Sequence, residues 1–291
     1  MKYEGKLYRP PSEAYSLIIQ ATIGCSHNKC TFCSMYKEDK FRIRSTEEII
    51  KDLLLGREYY KNVKIKRIFL ADGDALIIKT EELIKIFQAI NEIFPECERV
   101  GIYGSPKSLL LKSKDELDKL KELGLGIIYL GLESGSDKVL KDIKKGVTSQ
   151  EMIEAGKKIK DSEIELSVTL ISGIGGKEDS KEHAIESAKV LNQMQPDYIG
   201  LLTLLLEEGT ELYKDVQSGK FQILSPTEVL LETKTLIENL EVENCIFRSN
   251  HASNYLALRG TLMEDKELIL DQIEEGLKYN DYEDKELYRR L

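Results

Sequence analysis

The sequence predicts an α/β protein built on parallel strands, and three observations carry that expectation. Short apolar runs alternate with longer amphipathic ones along most of the chain. The apolar runs are nearly continuous, as in strands buried on both faces. The amphipathic runs open on capping residues and close at glycine or proline, as helices do.

Strands are expected over residues 15–21, 67–71, 100–104, 127–132, 165–171 and 198–206, each rich in Ile, Leu, Val or Tyr. Between them, the first helix covers 46–60. Ser45 is its N-cap, with Glu48 three residues on as a capping box. Ile49 and Leu53, joined by Ile50 and Leu54, make its buried stripe. The second helix, 80–94, places Leu83, Ile84, Phe87, Ile90 and Ile93 on one face and ends at Pro95. Further helices are expected over 115–123, closing at Gly124, and over 137–145, closing at Gly146. Two more follow, over 149–161 and over 180–194 before Pro196. Strands alternating with helices imply right-handed crossovers. An open doubly wound sheet and a partial barrel of six strands both satisfy this pattern.

The rhythm breaks after the sixth strand. A helix over 226–240, a short strand over 244–249 and a helix over 264–279 follow. The last of these has Leu268, Ile269, Ile273 and Leu277 facing inward. The expected organisation is a core over residues 1–210 and a mainly helical C-terminal extension over 211–291 packed on it. No Gly/Ser/Pro linker separates the two. The segment 280–291 is charged and frayed in this reading.

The chain has 291 residues, 41% hydrophobic and 32% charged, which suits a soluble protein with a substantial core. A net charge of −9 gives no global attraction to nucleic acid or anionic membrane. The basic stretch 61–67 reads as a solvated rim before a buried strand. The first residues do not form a signal peptide, and no apolar run reaches the ~18 residues of a membrane span. The five cysteines are odd in number and three are clustered, which argues against a secreted disulfide framework and for a cytoplasmic, reducing setting.

Those three, Cys25, Cys30 and Cys33, have the spacing C-x4-C-x2-C and follow the first strand directly. Loops at the C-terminal ends of parallel strands are where ligands bind in α/β folds. Structural zinc wants four ligands. His27 is cramped as a fourth, two residues after Cys25, while Cys97 and Cys245 are remote and read as small buried hydrophobes. Thiolates also hold iron–sulfur clusters. Three cysteines on a four-iron cube leave one iron open, and an open position is where a metal does chemistry.

In this motif the chain resembles the radical S-adenosylmethionine superfamily. There, three cysteines after the first strand hold a 4Fe-4S cluster, and an aromatic commonly precedes the last, as Phe32 does here. The usual spacing is C-x3-C-x2-C, so this chain has one residue more in the first gap. The resemblance implies a six-stranded partial (β/α)6 TIM-like barrel with the cofactors at the C-terminal strand ends. It implies that the open iron takes the amino and carboxylate groups of S-adenosylmethionine. The reduced cluster then cleaves that molecule to a 5′-deoxyadenosyl radical, which removes a hydrogen atom from the substrate. It also implies an external electron donor such as flavodoxin or ferredoxin.

The resemblance runs in order from Tyr15 to about Tyr213. After the second strand, Asp72, Gly73 and Asp74 occupy the place of the family's turn that holds the methionine amino group. Gly73 permits close backbone approach, and the two aspartates offer acceptors to an ammonium; the bland reading of Asp-Gly-Asp is a turn. After the third strand, Ser105 lines the pocket. After the fourth, "LGLESGSDKVLKDIKKG" is similar to the branch that includes methylthiotransferases, the elongator catalytic subunit and anaerobic coproporphyrinogen oxidases. On that likeness Glu133 and Ser134 face the ribose or methionine end; otherwise they cap the next helix. After the fifth, Gly173 and Ile174 match the adenine-side segment. The G-x-G found there is at the wrong strand for a Rossmann fingerprint. After the sixth, Gly209-Thr210 resembles the branch's "GT" turn.

Arg248, Asn250, His251, Asn254 and Tyr255 form a polar stretch between two apolar elements and are candidates for substrate contact. The alternative is a capped short helix with a structural histidine. His183, on a helix beside Glu182 and Glu186, reads as a surface residue. There is no further cysteine cluster for an auxiliary centre, and the acidic balance disfavours nucleic acid. A small-molecule or peptide substrate remains, and no catalytic side chain is assigned. The rival readings are an iron–sulfur electron-transfer or binding module that leaves S-adenosylmethionine uncut, and a zinc-stabilised α/β protein.

Overall fold

The structure, a computed structural model, describes residues 1, 3–278, 282, 286 and 289. It divides into two compact units. One comprises Met1–Asn28, Met35–Leu130 and Lys158–Leu166; the other comprises Lys29–Ser34, Gly131–Lys157 and Ser167–Leu291.

The first unit is built on four parallel strands. β1 (Leu17–Gln20) is followed by a small antiparallel ribbon of β2 (Thr22–Ile23) and β3 (Arg42–Ile43), whose two strands flank residues 24–41. The helix α1 (Thr46–Tyr59) leads to β4 (Arg67–Ala71), and α2 (Thr80–Ile93) to β5 (Arg99–Gly104). α3 (Pro106–Leu110) and α4 (Lys114–Glu122) then lead to β6 (Leu125–Glu133). β4 pairs with β1 and β5, with Ile19 opposite Leu70 and Phe69 opposite Gly101. β5 pairs with β6, with Ile102 opposite Ile128. β1, β4, β5 and β6 begin within two residues of their expected positions because burial demands an apolar run that polar loops then interrupt. The β2–β3 ribbon is too short to show any periodicity.

The capping box of α1 forms as expected: Glu48 N donates to Ser45 Oγ at 3.2 Å, and Ser45 N donates to Glu48 Oε2 at 2.9 Å. Its buried face is Ile49, Asp52, Leu53 and Gly56. Leu54 is 54% exposed, contrary to expectation. It lies ~100° around the helix from Leu53, and the inner stripe is filled instead by Asp52, paired with Arg44 at 2.8 Å. On α2, Leu83, Ile86, Phe87 and Ile90 are buried.

In the second unit, α5 (Asp137–Asp142) and α6 (Ser149–Asp161, whose last turn belongs to the first unit) precede β7 (Glu165–Ser172). α7 (Gly176–Met194), β8 (Tyr198–Thr203) and α8 (Glu211–Gln217) come next. The chain continues through α9 (Pro226–Asn239), β9 (Ile246–Ser249), β10 (Leu258–Thr261) and α10 (Lys266–Lys278). β7, β8 and β9 are parallel, with Val168 opposite Ile199 and Ile199 opposite Phe247. β10 is antiparallel to β9.

Burial alternates along β7 and β8, unlike the nearly continuous burial of β4. α7 begins four residues earlier than expected, at Gly176. α9 packs against α7 and α10. On α10, Ile269 and Ile273 are buried but Leu268 is 54% exposed, which corrects its inward assignment. As with Leu54, the buried arc of the helix is narrower than its run of apolar residues. Most of the expected charged tail, 280–291, lies outside the described residues.

Candidate cofactor site

In the first unit the site is assembled around the turn that follows β4. Gly73 faces Cys25 so closely that a Cβ built on it would stand 3.0 Å from both Cα and Cβ of Cys25 and 3.0 Å from the Tyr36 ring. Close approach, rather than a special backbone conformation, is why glycine is needed there. Asp74 is fully buried. Its carboxylate accepts from Ser26 Oγ at 2.6 Å, Ser105 N at 3.1 Å and Ser105 Oγ at 2.8 Å. One side chain therefore ties the cysteine loop to the loop after β5. Ser105 also caps α3 with Ser108 in a reciprocal pair.

Asp72 is 1% exposed and accepts from Gln20 Nε2 at 2.7 Å and Tyr36 OH at 3.2 Å. Burial pushes its pKa up to about 6, against the opposing effect of those donors. Burial, followed by the charge of Asp72, raises the Tyr36 phenol above its ordinary range. Tyr36 in turn packs edge-on against Tyr8, with ring centroids 5.3 Å apart. Cys25, Gly73, Asp74 and Ser105 are thus linked by contact or through Ser26, as the neighbours of one pocket should be. Both aspartates already carry protein donors. Gln20, Ser26 and Tyr36 are not singled out by the sequence. Of these only Ser26 has a usable signal, its place inside the cysteine motif.

In the second unit, Cys30 and Cys33 are held on a short segment clamped at its centre. Thr31 N donates to Ile143 O at 3.0 Å, and Leu212 N donates to Thr31 O at 3.0 Å. Phe32 packs on a cluster of Val139, Leu140, Ile143, Ile174 and Leu212. The aromatic before the last cysteine is therefore an anchor, and Ile174 contributes its side chain to that anchorage.

Glu133 ends β6 with φ 61°, and its carboxylate pairs with Lys145 at 2.8 Å. Ser134 is fully buried, with Oγ 2.8 Å from His183 Nδ1. The same hydroxyl accepts from Ser136 N at 3.1 Å. Gly135 lies against α7 and donates its N–H to Ser187 Oγ at 2.8 Å. A Cβ there would be 2.4 Å from Glu186 O, so only glycine fits. Gly173 has φ 83° and donates its N–H to Glu232 Oε1 at 2.7 Å.

His183 is 3% exposed, not on the surface as the sequence indicates. Glu182 is exposed and Glu186 partly so, while the histidine between them, about 60–100° around α7 from each, is buried. Desolvation lowers its pKa, against the opposing pull of the Glu232 carboxylate. Its partner Glu232 also escapes the sequence reading, because a Glu in a capped amphipathic helix looks like a solvent residue.

The substrate candidates divide. Asn254 is bound to the end of β8, accepting from Thr203 Oγ1 at 2.9 Å and donating to Leu201 O at 2.8 Å. Tyr255 is buried, hydrogen-bonded to Glu286 and overlain by the Arg289 guanidinium 4.2 Å from the ring centroid. His251 is half-buried, and its Nδ1 accepts from Ser253 N at 3.1 Å; burial lowers its pKa. Arg248 and Asn250 are exposed.

The three clustered cysteines are partly exposed thiols. Soft donors at this spacing suit iron–sulfur ligation. Gly73, without a Cβ, lets the turn after β4 pack directly against Cys25 in that loop. Fold and site together define an α/β protein with three thiols on the loop after its first strand.

The Radical SAM superfamily profile matches residues 19–189, more than half of the chain. The chain belongs to the Radical SAM superfamily, a family of enzymes whose cofactors are a 4Fe-4S cluster and S-adenosylmethionine. The heme chaperone HemW of Buchnera aphidicola is 24% identical over 237 residues, 78% of this chain and 60% of that one. The biotin synthase of Aquifex aeolicus is 28% identical over 213 residues, 71% of this chain and 60% of that one. The crystal structure of methylornithine synthase superposes with a TM-score of 0.56 at 16% identity, covering 89% of this chain and 68% of that one. The fold is therefore shared, and the expected α/β class holds. The chain spans about half the length of the curated relatives it matches, 35% to 60% for the first three. Among the described residues no helix is long and apolar enough to cross a membrane.

Proposed function

We propose that this chain is a radical S-adenosylmethionine enzyme carrying one 4Fe-4S cluster on Cys25, Cys30 and Cys33. The observation that carries the reading is the three-thiol loop after β1, within a chain that belongs to this superfamily. A reduced cluster held by Cys25, Cys30 and Cys33 would supply the one electron for reductive cleavage of the C5′–S bond of S-adenosylmethionine, with methionine as the leaving group, and so the means of hydrogen abstraction from a substrate. The protein's own part is positioning. Gly73 lets the turn after β4 pack directly against Cys25. Asp74 fixes the cysteine loop through Ser26 and the neighbouring loop through Ser105. Asp72 holds Tyr36 and Gln20. Phe32 anchors the segment that bears Cys30 and Cys33.

On the family likeness, Glu133 and Ser134 belong to the segment facing the ribose or methionine end of the cofactor, and Gly173 and Ile174 to the adenine side. Because the Ser134 hydroxyl is buried and bonded to His183, this segment meets a cofactor through its backbone. Arg248, Asn250 and His251 are left as the side chains of the polar stretch available to a small-molecule or peptide substrate. A reducing cytoplasm with a flavodoxin- or ferredoxin-like donor suits the chemistry. The core over 1–210 carries it, with the remainder as an extension.

The test is anaerobic reconstitution with iron and sulfide, then addition of dithionite and S-adenosylmethionine. The expected products are a brown protein with about four irons per chain and 5′-deoxyadenosine in the chromatogram. A cluster that leaves S-adenosylmethionine intact makes the chain an electron carrier; failure to take up iron rejects the site.

A further inference from the structure

A carboxylate from the C-terminal region is buried directly behind the segment after β7. Glu232, on α9, is 4% exposed. Its Oε1 accepts from Ser172 Oγ and from Gly173 N, each at 2.7 Å, and its Oε2 accepts from Ser180 Oγ at 2.6 Å. His183 Nε2 lies 3.8 Å from Oε1. The other ring nitrogen of His183 meets Ser134 Oγ at 2.8 Å. One charged group therefore fixes the turn after β7, the first turns of α7 and, through His183, the turn after β6.

The residue types along Ser134, His183 and Glu232 are those of a hydrolytic triad, but the geometry excludes that role. Ser134 is fully buried, and its oxygen already accepts from Ser136 N. The space beside His183 and Glu232 is about 10 Å³, too small for a substrate group. A buried carboxylate is costly unless it is hydrogen-bonded, and here three donors from one turn and one helix meet that need and are fixed by it in return. Among the groups held is the Gly173 amide, in a turn with φ of 83°.

We propose that Glu232 is a positioning residue for S-adenosylmethionine. It holds the Ser172–Gly173 turn directly, and through His183 it steadies the Ser134 turn, so that both present their backbone to the nucleoside. This rests on the functional reading above and gives the C-terminal region a part in cofactor binding. Loss of the charge weakens the hold on Gly173 without touching a cysteine or a cofactor atom.

The experiment compares the full chain with Glu232→Gln and with Glu238→Gln, an exposed position on the same helix. Each is reconstituted, its iron and sulfide are counted, and S-adenosylmethionine binding is measured by calorimetry. Exchange of the Gly173 amide is followed in the chain before reconstitution. Glu232→Gln is expected to keep its cluster, to bind S-adenosylmethionine about tenfold more weakly or worse, and to exchange the Gly173 amide faster. KM for S-adenosylmethionine should rise more than kcat falls. Glu238→Gln should match the wild type.

A folded, cluster-loaded Glu232→Gln protein that binds within about twofold of wild type overturns the inference. If Glu232→Gln does not fold, Ser180→Ala decides: it removes one donor, so an unchanged affinity and unchanged Gly173 exchange overturn the inference as well. A wild-type chain that takes up no cluster and binds no S-adenosylmethionine refutes the functional reading itself, a result distinct from equal binding by wild type and variant.

Discussion

The turn after β4 and the turn after β7 are both held by buried carboxylates, yet one set is local and the other comes from far along the chain. After β4, Asp72 and Asp74 belong to the turn itself and reach outward to Gln20, Tyr36, Ser26 and Ser105. After β7, the turn contributes only a hydroxyl and an N–H, and the carboxylate arrives from Glu232, 59 residues beyond Gly173. A turn that carries its own anchor can be recognised where it stands. A turn anchored from a distant helix depends on that helix being docked first, so its order is tied to the packing of α9 on α7.

Three perturbations break or sharpen this contrast. The largest effect is expected from Cys30→Ala, which removes a thiolate however the loops are anchored. Cluster absorbance and 5′-deoxyadenosine should both disappear; a retained, active cluster would leave the two turns without a shared purpose. Next is Gly135→Ala, which tests the remote mode of anchoring through α7. The added methyl meets Glu186 O and the backbone of Ser187 at 2.4–2.5 Å. Overpacking of this kind costs about 1–3 kcal/mol or more, so calorimetry should find a melting temperature lower by several degrees. An unchanged Tm means that α7 can move away and that the second unit is looser than its contacts imply.

The smallest effect is expected from Asp72→Asn, which tests the local mode. The pKa of Asp72 in the folded chain, about 6, is above its ordinary value of 3.8. The folded state therefore holds the proton more tightly. The stability this gives is complete below pH ~4 and lost as pH rises through 6. The substituted amide cannot titrate. The difference in Tm between variant and wild type should thus move in the variant's favour between pH 4 and pH 7, by on the order of a few °C. A difference that is flat across this range would show that Asp72 is not held in a desolvated setting.

Legibility follows the range of the interactions. The boundaries of β4 are read without error, because an apolar run flanked by polar loops is a local signal. The Ser45–Glu48 box is legible for the same reason. The pattern misplaces Leu54 and Leu268 because apolar identity fixes the face of a helix only to within its neighbouring positions. It misplaces His183 because acidic residues one and three positions away fix the face of a helix only to within about 100°, and the histidine falls just inside the buried boundary of α7. Glu232 is invisible to it, since nothing in its surroundings along the chain distinguishes a buried acceptor from a solvated acid. The clamp on Thr31 from Ile143 and Leu212 is equally hidden, being made of backbone groups brought together from three separate segments.

By itself the sequence determined the α/β alternation, the three-thiol loop after the first strand and the order of the glycine-bearing turns. Each of these depends on residues within one turn or one strand of each other, where side-chain pattern and backbone preference act directly. Tertiary structure alone decided which carboxylates hold those turns, that Ser134 is closed off by His183, and that Phe32 is an anchor. Those outcomes depend on desolvation, and a group is desolvated only by what folds over it.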